Sequence, residues 1–418
     1  MTPQEAVAYV EGLELFGMRF GLERMRRVLA ALGDPHRAYP CVHVVGTNGK
    51  TSTTCMTAAV LSAHGMRCGA YTSPHILGWT ERTLLAGRPQ APERFAEAVG
   101  AVRDAADGLD LAEDDRITQF EVLTAAAFVS MAREGVDAAV IEAGLGGRWD
   151  ATNVLDGGRV TVLTNIALEH TDLLGGTVTA IAGEKLAVAP DGSDRLVVGR
   201  LGDAAAEVEA VMAARGLDGW RMDREFGIEG DVIRCPGETY DGIAVGPRGS
   251  FQRDNAAVAV AAARRFAGAP LDPAAVRAAL RDVRVPGRME EFPGRPRVLI
   301  DGAHNPAGMA ALVDALPDVL GGTRPVAVVS VLADKDAAAM MAALAPACGT
   351  VVATRSRHRR AADPAELATA ARAAGAAAEV VADPAAALDR ARSLAGPEGA
   401  VLVCGSLYLL ADLRPELA

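Results

Sequence analysis

The sequence predicts a two-domain α/β protein in which each domain is a mainly parallel sheet flanked by helices. Three observations carry this reading. Short apolar runs alternate with helix-period segments along nearly the whole chain. The length, 418 residues, exceeds what one ordinary core organises. Aromatic residues make up only 4%, so the core must be built from small aliphatic side chains, as suits helices packed on a parallel sheet.

In chain order, "CVHVV" (41–45) reads as a buried strand and "STTCMTAAVLSAHG" as the helix after it, stopped by Gly65. The stretch 117–135 has helical spacing and a terminal glycine. "VDAAVIEAG" (136–144) and "RVTVLTNI" (159–166) are further apolar strands, 226–245 reads as short antiparallel strands, and 251–268 as a strong helix. Three prolines and two glycines then interrupt the pattern in "VRVPGRMEEFPGRPR" (283–297), which marks a boundary. A second series follows, "VLIDG", "PVAVVSVL", "TVVATR" and "GAVLVCGS", with alanine-rich helical segments between; 361–391 is read as amphipathic helices. The expected domains are 1–285 and 297–418, joined by a hinge at 286–296. The segment 86–116 is short and plain.

The net charge of −11 argues against a nucleic-acid or anionic-membrane partner. Six scattered cysteines without a C-x-x-C pair fit reduced, mostly buried thiols rather than disulfides or a zinc site. The first residues are acidic and lack a basic n-region, so no signal peptide is expected. No apolar run approaches the ~20 residues that span a bilayer. A cytoplasmic location follows as the expectation.

Chemistry enters at "GTNGKTS" (46–52). Gly46 and Gly49 allow backbone amides to face a phosphate, Lys50 supplies a cation, and Thr51 and Ser52 bring hydroxyls to a helix N-terminus that favours anions. Val44 stands where the eight-residue form of this loop has glycine. A strand before and a helix after supply the context that a chance glycine turn lacks. The first domain is therefore expected to be a P-loop nucleotide-binding parallel-sheet domain.

Glu142 sits at the end of a strand, before the glycine-rich "AGLGGRWDATN", where ligand sites of open α/β sheets lie. A carboxylate there is a hard oxygen ligand for Mg²⁺ beside a triphosphate; capping a neighbouring helix is the plainer alternative. Glu169, His170 and Asp172 follow another strand, and Lys185 lies on a helix of small apolar residues, where a snorkelling lysine is the ordinary explanation. "YTSPHILGWTER" (71–82) reads as a polar loop. "VLIDGAHNPAG" (298–308) opens the second domain with Asp301, His304 and a helix start at Asn305.

Taken together, "GTNGKTS", "YTSPHI", "IEAGLGGRWDATN", "LTNIALEHTD", "GEK", "PGRMEEF", "DGAHNP" and "GSLYLL" resemble, in order, the folylpolyglutamate synthase and dihydrofolate synthase family of the Mur ligase superfamily. The resemblance implies a smaller Rossmann-like α/β domain after the P-loop domain, and ATP-dependent, ADP-forming addition of L-glutamate to a folate-type carboxylate, dihydropteroate or tetrahydrofolate, through an acyl phosphate. A related ligase acting on another acid is the alternative. It further implies that Gly46, Thr47, Asn48, Gly49, Lys50, Thr51 and Ser52 hold ATP with Asn255, Arg288 and Asp301. Ser73, Glu142 and His170 become magnesium ligands at one of two metal sites, and Lys185 a carbamylated lysine. Lys50, His170 and Lys185 carry the catalytic roles. His304 and Ser406 hold the incoming glutamate, while Arg19, Phe20, Gly21, Gln119, Phe120, Glu121, Trp149, Asp150 and Ala151 line the pterin side. A monomer is the family default. Two departures stand out: the family's usual glycine is replaced by Thr51, and "TRSRHRRAADPAE" (354–366) is unexpectedly basic, as a solvated face or as a hold on an anionic glutamate tail.

Overall fold

The computed structural model describes residues 1–13, 21–110, 116–155 and 160–417. They form two compact units, one of Met1–Val245 with Asp254–Val283, the other of Gly246–Arg253 with Arg284–Ala418. The segment 246–253 thus groups with the second unit, ahead of the proline- and glycine-rich stretch 283–297.

The first unit is organised by eight strands: β1 (Cys41–Val45), β2 (Cys68–Tyr71), β3 (Thr83–Leu85), β4 (Arg88–Pro89), β5 (Ala138–Glu142), β6 (Val160–Leu163), β7 (Leu196–Val198) and β8 (Gly219–Arg221). Their order is β4-β3-β2-β5-β1-β6-β7-β8. All neighbours from β2 to β8 run parallel, and β3 and β4 add an antiparallel edge. Every residue of β1, β5 and β6 is buried, which explains their continuous apolar sequence: both faces are covered. Val42, Val44, Val140 and Val162 pack with Ala256–Ala263 of the helix Ser250–Ala267 on one side. Ala139 and Ile141 pack with Val122 and Phe128 of the helix Gln119–Glu134 on the other. That helix begins with a capping box between Thr118 and Glu121 and ends at Gly135, whose φ of +64° suits a residue without Cβ. Strands β9 (Gly227–Glu229), β10 (Val232–Cys235) and β11 (Glu238–Tyr240) form the expected small antiparallel sheet.

In the second unit, β12 (Glu290–Phe292), β13 (Arg297–Ile300), β14 (Val326–Val329), β15 (Thr350–Ala353), β16 (Ala377–Val380) and β17 (Ala400–Cys404) are ordered β12-β13-β17-β14-β15-β16. All pairs are parallel except β12 with β13. Leu299, Ala327, Val329 and Leu402 meet Met309, Leu312, Met340 and Leu367 in its core. Two strands lie where the sequence predicts none. β12 falls inside the proline- and glycine-rich stretch, and β16 interrupts the alanine-rich 361–391 between helices Pro364–Ala373 and Pro384–Ala395. All six cysteines are buried. Among the described residues no helix is long and apolar enough to cross a membrane.

Candidate active site

β1 delivers the chain to residues 46–49, and the helix Lys50–Ala63 leaves from them. Gly46 has φ +150°, and a Cβ there would lie 1.9 Å from Thr164 Oγ1, so only glycine fits. Gly49 has φ +81°, with its absent Cβ 2.5 Å from Asn255 Oδ1; Asn255 therefore abuts the turn. The loop is strapped from one side by the segment after β6. Thr47 N–H donates to Asn165 O (3.0 Å), Asn48 N–H to Asn165 Oδ1 (2.8 Å), and Thr164 Oγ1 to Asn48 O (2.6 Å). Thr47 Oγ1 donates to Ala167 O (3.2 Å) and accepts from Ala167 N–H (3.0 Å). Thr164 and Asn165 were not singled out as site residues from sequence. Their signal was their place inside "LTNIALEHTD", whose acids and histidine drew the attention.

Two lysines converge on the loop. Lys50 Nζ donates to Gly46 O and Thr47 O, both at 3.1 Å, and Lys185 Nζ donates to Gly46 O at 2.8 Å. Lys185 is 5% exposed. Burial, and then the charge of Lys50, push its amine down to about 7 against the opposing pull of Glu169 and Asp150.

Glu142, 1% exposed at the end of β5, uses both oxygens. Oε1 accepts from Thr51 Oγ1 (3.0 Å) and Oε2 from Ser73 N–H (3.3 Å). The structure thus brings Thr51, Ser73 and Glu142 together at the start of the loop helix. Ser52 is buried in that helix. His170 stands at φ +51° as the N-cap of the turn Thr171–Leu174, its Nε2 3.7 Å from Glu169 Oε1. Among the described residues no group of three or more His, Cys, Asp or Glu side chains forms a metal cage. The carboxylate of Glu142 and the hydroxyls of Thr51 and Ser73 are hard oxygens, the donors Mg²⁺ takes when a substrate phosphate and water complete its shell.

Around the residues read as the pterin side, several side chains are committed internally. Gln119 Nε2 donates to Val10 O (2.8 Å). Glu121 caps its helix and pairs with Arg24 at 2.8 Å, both buried. Asp150 accepts from Leu145 N–H (2.8 Å) and Thr152 N–H (3.0 Å), and its burial raises the carboxyl above its usual range. These three shape the loops rather than face outward, and Ala151 is buried among them. Phe120 fills the space a side chain at Gly144 would need, its ring 2.5 Å from that Cβ position. Trp149 is 45% exposed. Gly21 has φ +131°; Arg19 and Phe20 lie outside the described residues.

In the second unit, Asp301 directly follows β13, accepting from Met289 N–H (2.9 Å) and Ala303 N–H (2.8 Å). Burial raises its carboxyl while nearby Arg288 opposes the rise. The Arg288 guanidinium lies against Gly302, 2.0 Å from where a Cβ would stand. His304 Nδ1 donates to Gly302 O (2.8 Å), an assignment fixed by the carbonyl being an acceptor only. Ser406, just after β17, caps the helix Leu407–Leu413 through Tyr408 N–H (3.2 Å). β13 and β17 are parallel neighbours, so these residues share one sheet edge.

The sequence matches the Mur ligase middle domain over residues 44–263 and the Mur ligase glutamate ligase domain over 287–407. The dihydrofolate synthase/folylpolyglutamate synthase of Mycobacterium tuberculosis is 36% identical over 403 residues, covering 88% of this chain and 82% of that one. The chain belongs to the folylpolyglutamate synthase and dihydrofolate synthase family of Mur ligases. Solved structures of the family superpose throughout. Mycobacterium tuberculosis folylpolyglutamate synthase complexed with ADP has a TM-score of 0.91 at 33% identity, covering 100% of this chain and 99% of that one. A bifunctional folylpolyglutamate synthase/dihydrofolate synthase with Mn, AMPPNP and L-glutamate bound gives 0.88 at 30% identity, with 100% and 98% covered.

Proposed function

We propose that this family member joins L-glutamate to the carboxylate of a folate-type acid, dihydropteroate or a reduced folate, with ATP cleaved to ADP. The observation that carries the site assignment is Glu142, buried and held by both the phosphate-loop Thr51 and Ser73. A carboxylate is a poor electrophile because its leaving group is oxide. Transfer of the γ-phosphoryl group to a carboxylate oxygen gives an acyl phosphate, which the neutral glutamate amine attacks at carbon, expelling phosphate and losing a proton. The chain's task is positioning and charge stabilisation. The loop amides of residues 46–52 and Lys50 hold the phosphates, Asn255 sets the loop turn, and Arg288 and Asp301 contact the nucleotide from the second unit's sequence. His304 and Ser406 orient the incoming amino acid.

Mg²⁺ offsets charge on the transferring phosphoryl group, and Glu142, Ser73 and His170 are the residues assigned to hold it, with Thr51 orienting Glu142. Lys185 supplies a second metal's ligand once carbamylated. Its buried ammonium loses one proton, and the neutral amine then adds to the carbon of CO₂ and releases a second, so that a cation beside Lys50 becomes a carbamate anion. That conversion removes the like-charge conflict at Gly46 O. The replacement of glycine by Thr51 falls on the nucleotide side and so does not bear on which acid is used. The enzyme is read as a cytoplasmic monomer.

The deciding experiment measures ADP release with dihydropteroate plus glutamate, with tetrahydrofolate plus glutamate, and with glutamate omitted. Glutamate-dependent release with at least one acid is expected. No release with either acid sinks the folate reading.

A further inference from the structure

The segment after β15 in the second unit carries charge that the ligation chemistry above does not use. Residues 355, 357 and 359 are exposed, while 356 is buried and 358 and 360 are half-buried. Arg355, Arg357 and Arg359 are thus the exposed positions of a stretch that bends at 357–358 and turns at 359–360. The backbone beneath them is fixed. Arg355 N–H donates to Ala382 O (3.3 Å), Ser356 N–H to Ser330 Oγ (3.0 Å), Arg357 N–H to Asp412 Oδ2 (2.7 Å), and Arg360 O accepts from Ala333 N–H (2.8 Å).

Arg360 is occupied, its Nη1 3.2 Å from Asp334 Oδ1. Among the described residues, the side chains of Arg355, Arg357 and Arg359 make no hydrogen bond or ion pair; Asp412 acts on Arg357 only at longer range. Arg24, Arg200, Arg215 and Arg221, by contrast, each hold a carboxylate. A cationic row kept unpaired on a fixed backbone, in a chain of net charge −11, calls for an anion. Ser356 Oγ, buried in the same segment without a hydrogen-bond partner, is a second polar group left for a ligand or water to satisfy.

Its position narrows the ligand. β13, β17, β14 and β15 are consecutive parallel neighbours, so the segment lies on the same carboxyl edge as Asp301, His304 and Ser406, where such sheets bind ligands. The His358 ring stacks on Tyr408 at 3.9 Å and 24°, and Tyr408 belongs to the helix that Ser406 caps.

We propose that Arg355, Arg357 and Arg359 form a subsite for the carboxylates of glutamyl groups, beside Ser406. The inference rests on the glutamate-ligase reading above. Guanidinium groups pair with carboxylates through two parallel N–H donors. Free L-glutamate and the γ-linked glutamate chain of a longer acceptor present the same chemistry, and several cations in a row suit a chain with one carboxylate per unit.

The test compares wild type with two triple variants at 355, 357 and 359, one all Arg→Ala and one all Arg→Lys, each checked by circular dichroism and thermal melting. Kinetics are taken at varied L-glutamate, and with monoglutamyl and triglutamyl tetrahydrofolate. In the alanine variant, a rise of about five- to tenfold in KM for glutamate identifies the free amino acid as the ligand. The same rise in the ratio of triglutamyl to monoglutamyl KM identifies the chain. The lysine variant restores most of either loss, and added salt imposes it on wild type. Neither KM moving in a folded alanine variant overturns the subsite. Wild type that releases no ADP with any folate indicts the ligase reading instead. Calorimetric titration of γ-linked triglutamate into wild type and Arg359→Glu then still decides the subsite, which requires weaker binding to the variant.

Discussion

One carbonyl oxygen, that of Gly46, receives Lys50 Nζ at 3.1 Å and Lys185 Nζ at 2.8 Å. Burial, and then the charge of neighbouring Lys50, bring the Lys185 amine down from 10.5 to about 7. Between those values the unfolded chain holds a proton that the folded chain does not, so stability rises with pH across that window. Below about 7 both states are protonated, and the full cost of burying the cation remains. Lys185→Met has no such titration. In CO₂-free buffer, the stability of wild type relative to Lys185→Met should therefore increase by about 1–3 kcal/mol from pH 7 to pH 9. Urea melts at the two pH values measure it; a difference that stays flat would mean the amine titrates as in water.

At the scale of elements, the buried pair of Arg24 and Glu121 ties the helix Glu23–Ala31 to the helix Gln119–Glu134. Removing one partner strands a charge inside the protein, whereas removing both exchanges desolvated ions for packing. Arg24→Leu should cost about 3–5 kcal/mol, and Arg24→Leu with Glu121→Leu should recover most of it in denaturant unfolding. A double-variant loss equal to the sum of the Arg24→Leu and Glu121→Leu losses would show that the pair contributes no coupling. Glu121 also marks where sequence reading ends. Its place in a motif pointed to substrate, but its commitment to Arg24, 97 residues away, is a long-range fact that no local pattern carries. The all-buried strands β1, β5, β6, β14 and β17 were legible because their apolar runs are continuous. β16 was not, since its sequence Ala-Ala-Glu-Val sits half-exposed at a sheet edge with little strand propensity. β12 hid among prolines and glycines for a related reason: an edge strand of three residues needs only its partner β13. In the site, Gly46, Lys50 and Glu142 were readable from spacing. The strap through Thr164 and Asn165 depends on β1 and β6 lying side by side.

For the whole molecule, the chain order and the order of the cores disagree at residues 246–253. The helix Ser250–Ala267 begins with residues of the second unit and continues from Asp254 with residues of the first. Phe251, in its first turn, packs against the second unit's core. Gly249 lets the chain enter there at φ +99°, where a Cβ would stand 2.9 Å from the Phe251 ring and 3.4 Å from Ala315 Cβ. The second unit is then not a self-contained segment beginning at 284. It borrows an aromatic anchor from residues that precede its first strand by nearly forty positions. Phe251→Ala should remove about 1–3 kcal/mol from that unit, less than a fully buried phenylalanine because the ring is half-exposed. Amide hydrogen exchange reads this locally: β13, β14 and β17 should open roughly tenfold or more faster, while β1, β5 and β6 keep their protection. Acceleration spread equally over both sheets would instead make Phe251 part of a single cooperative core, and no acceleration would make it a surface side chain.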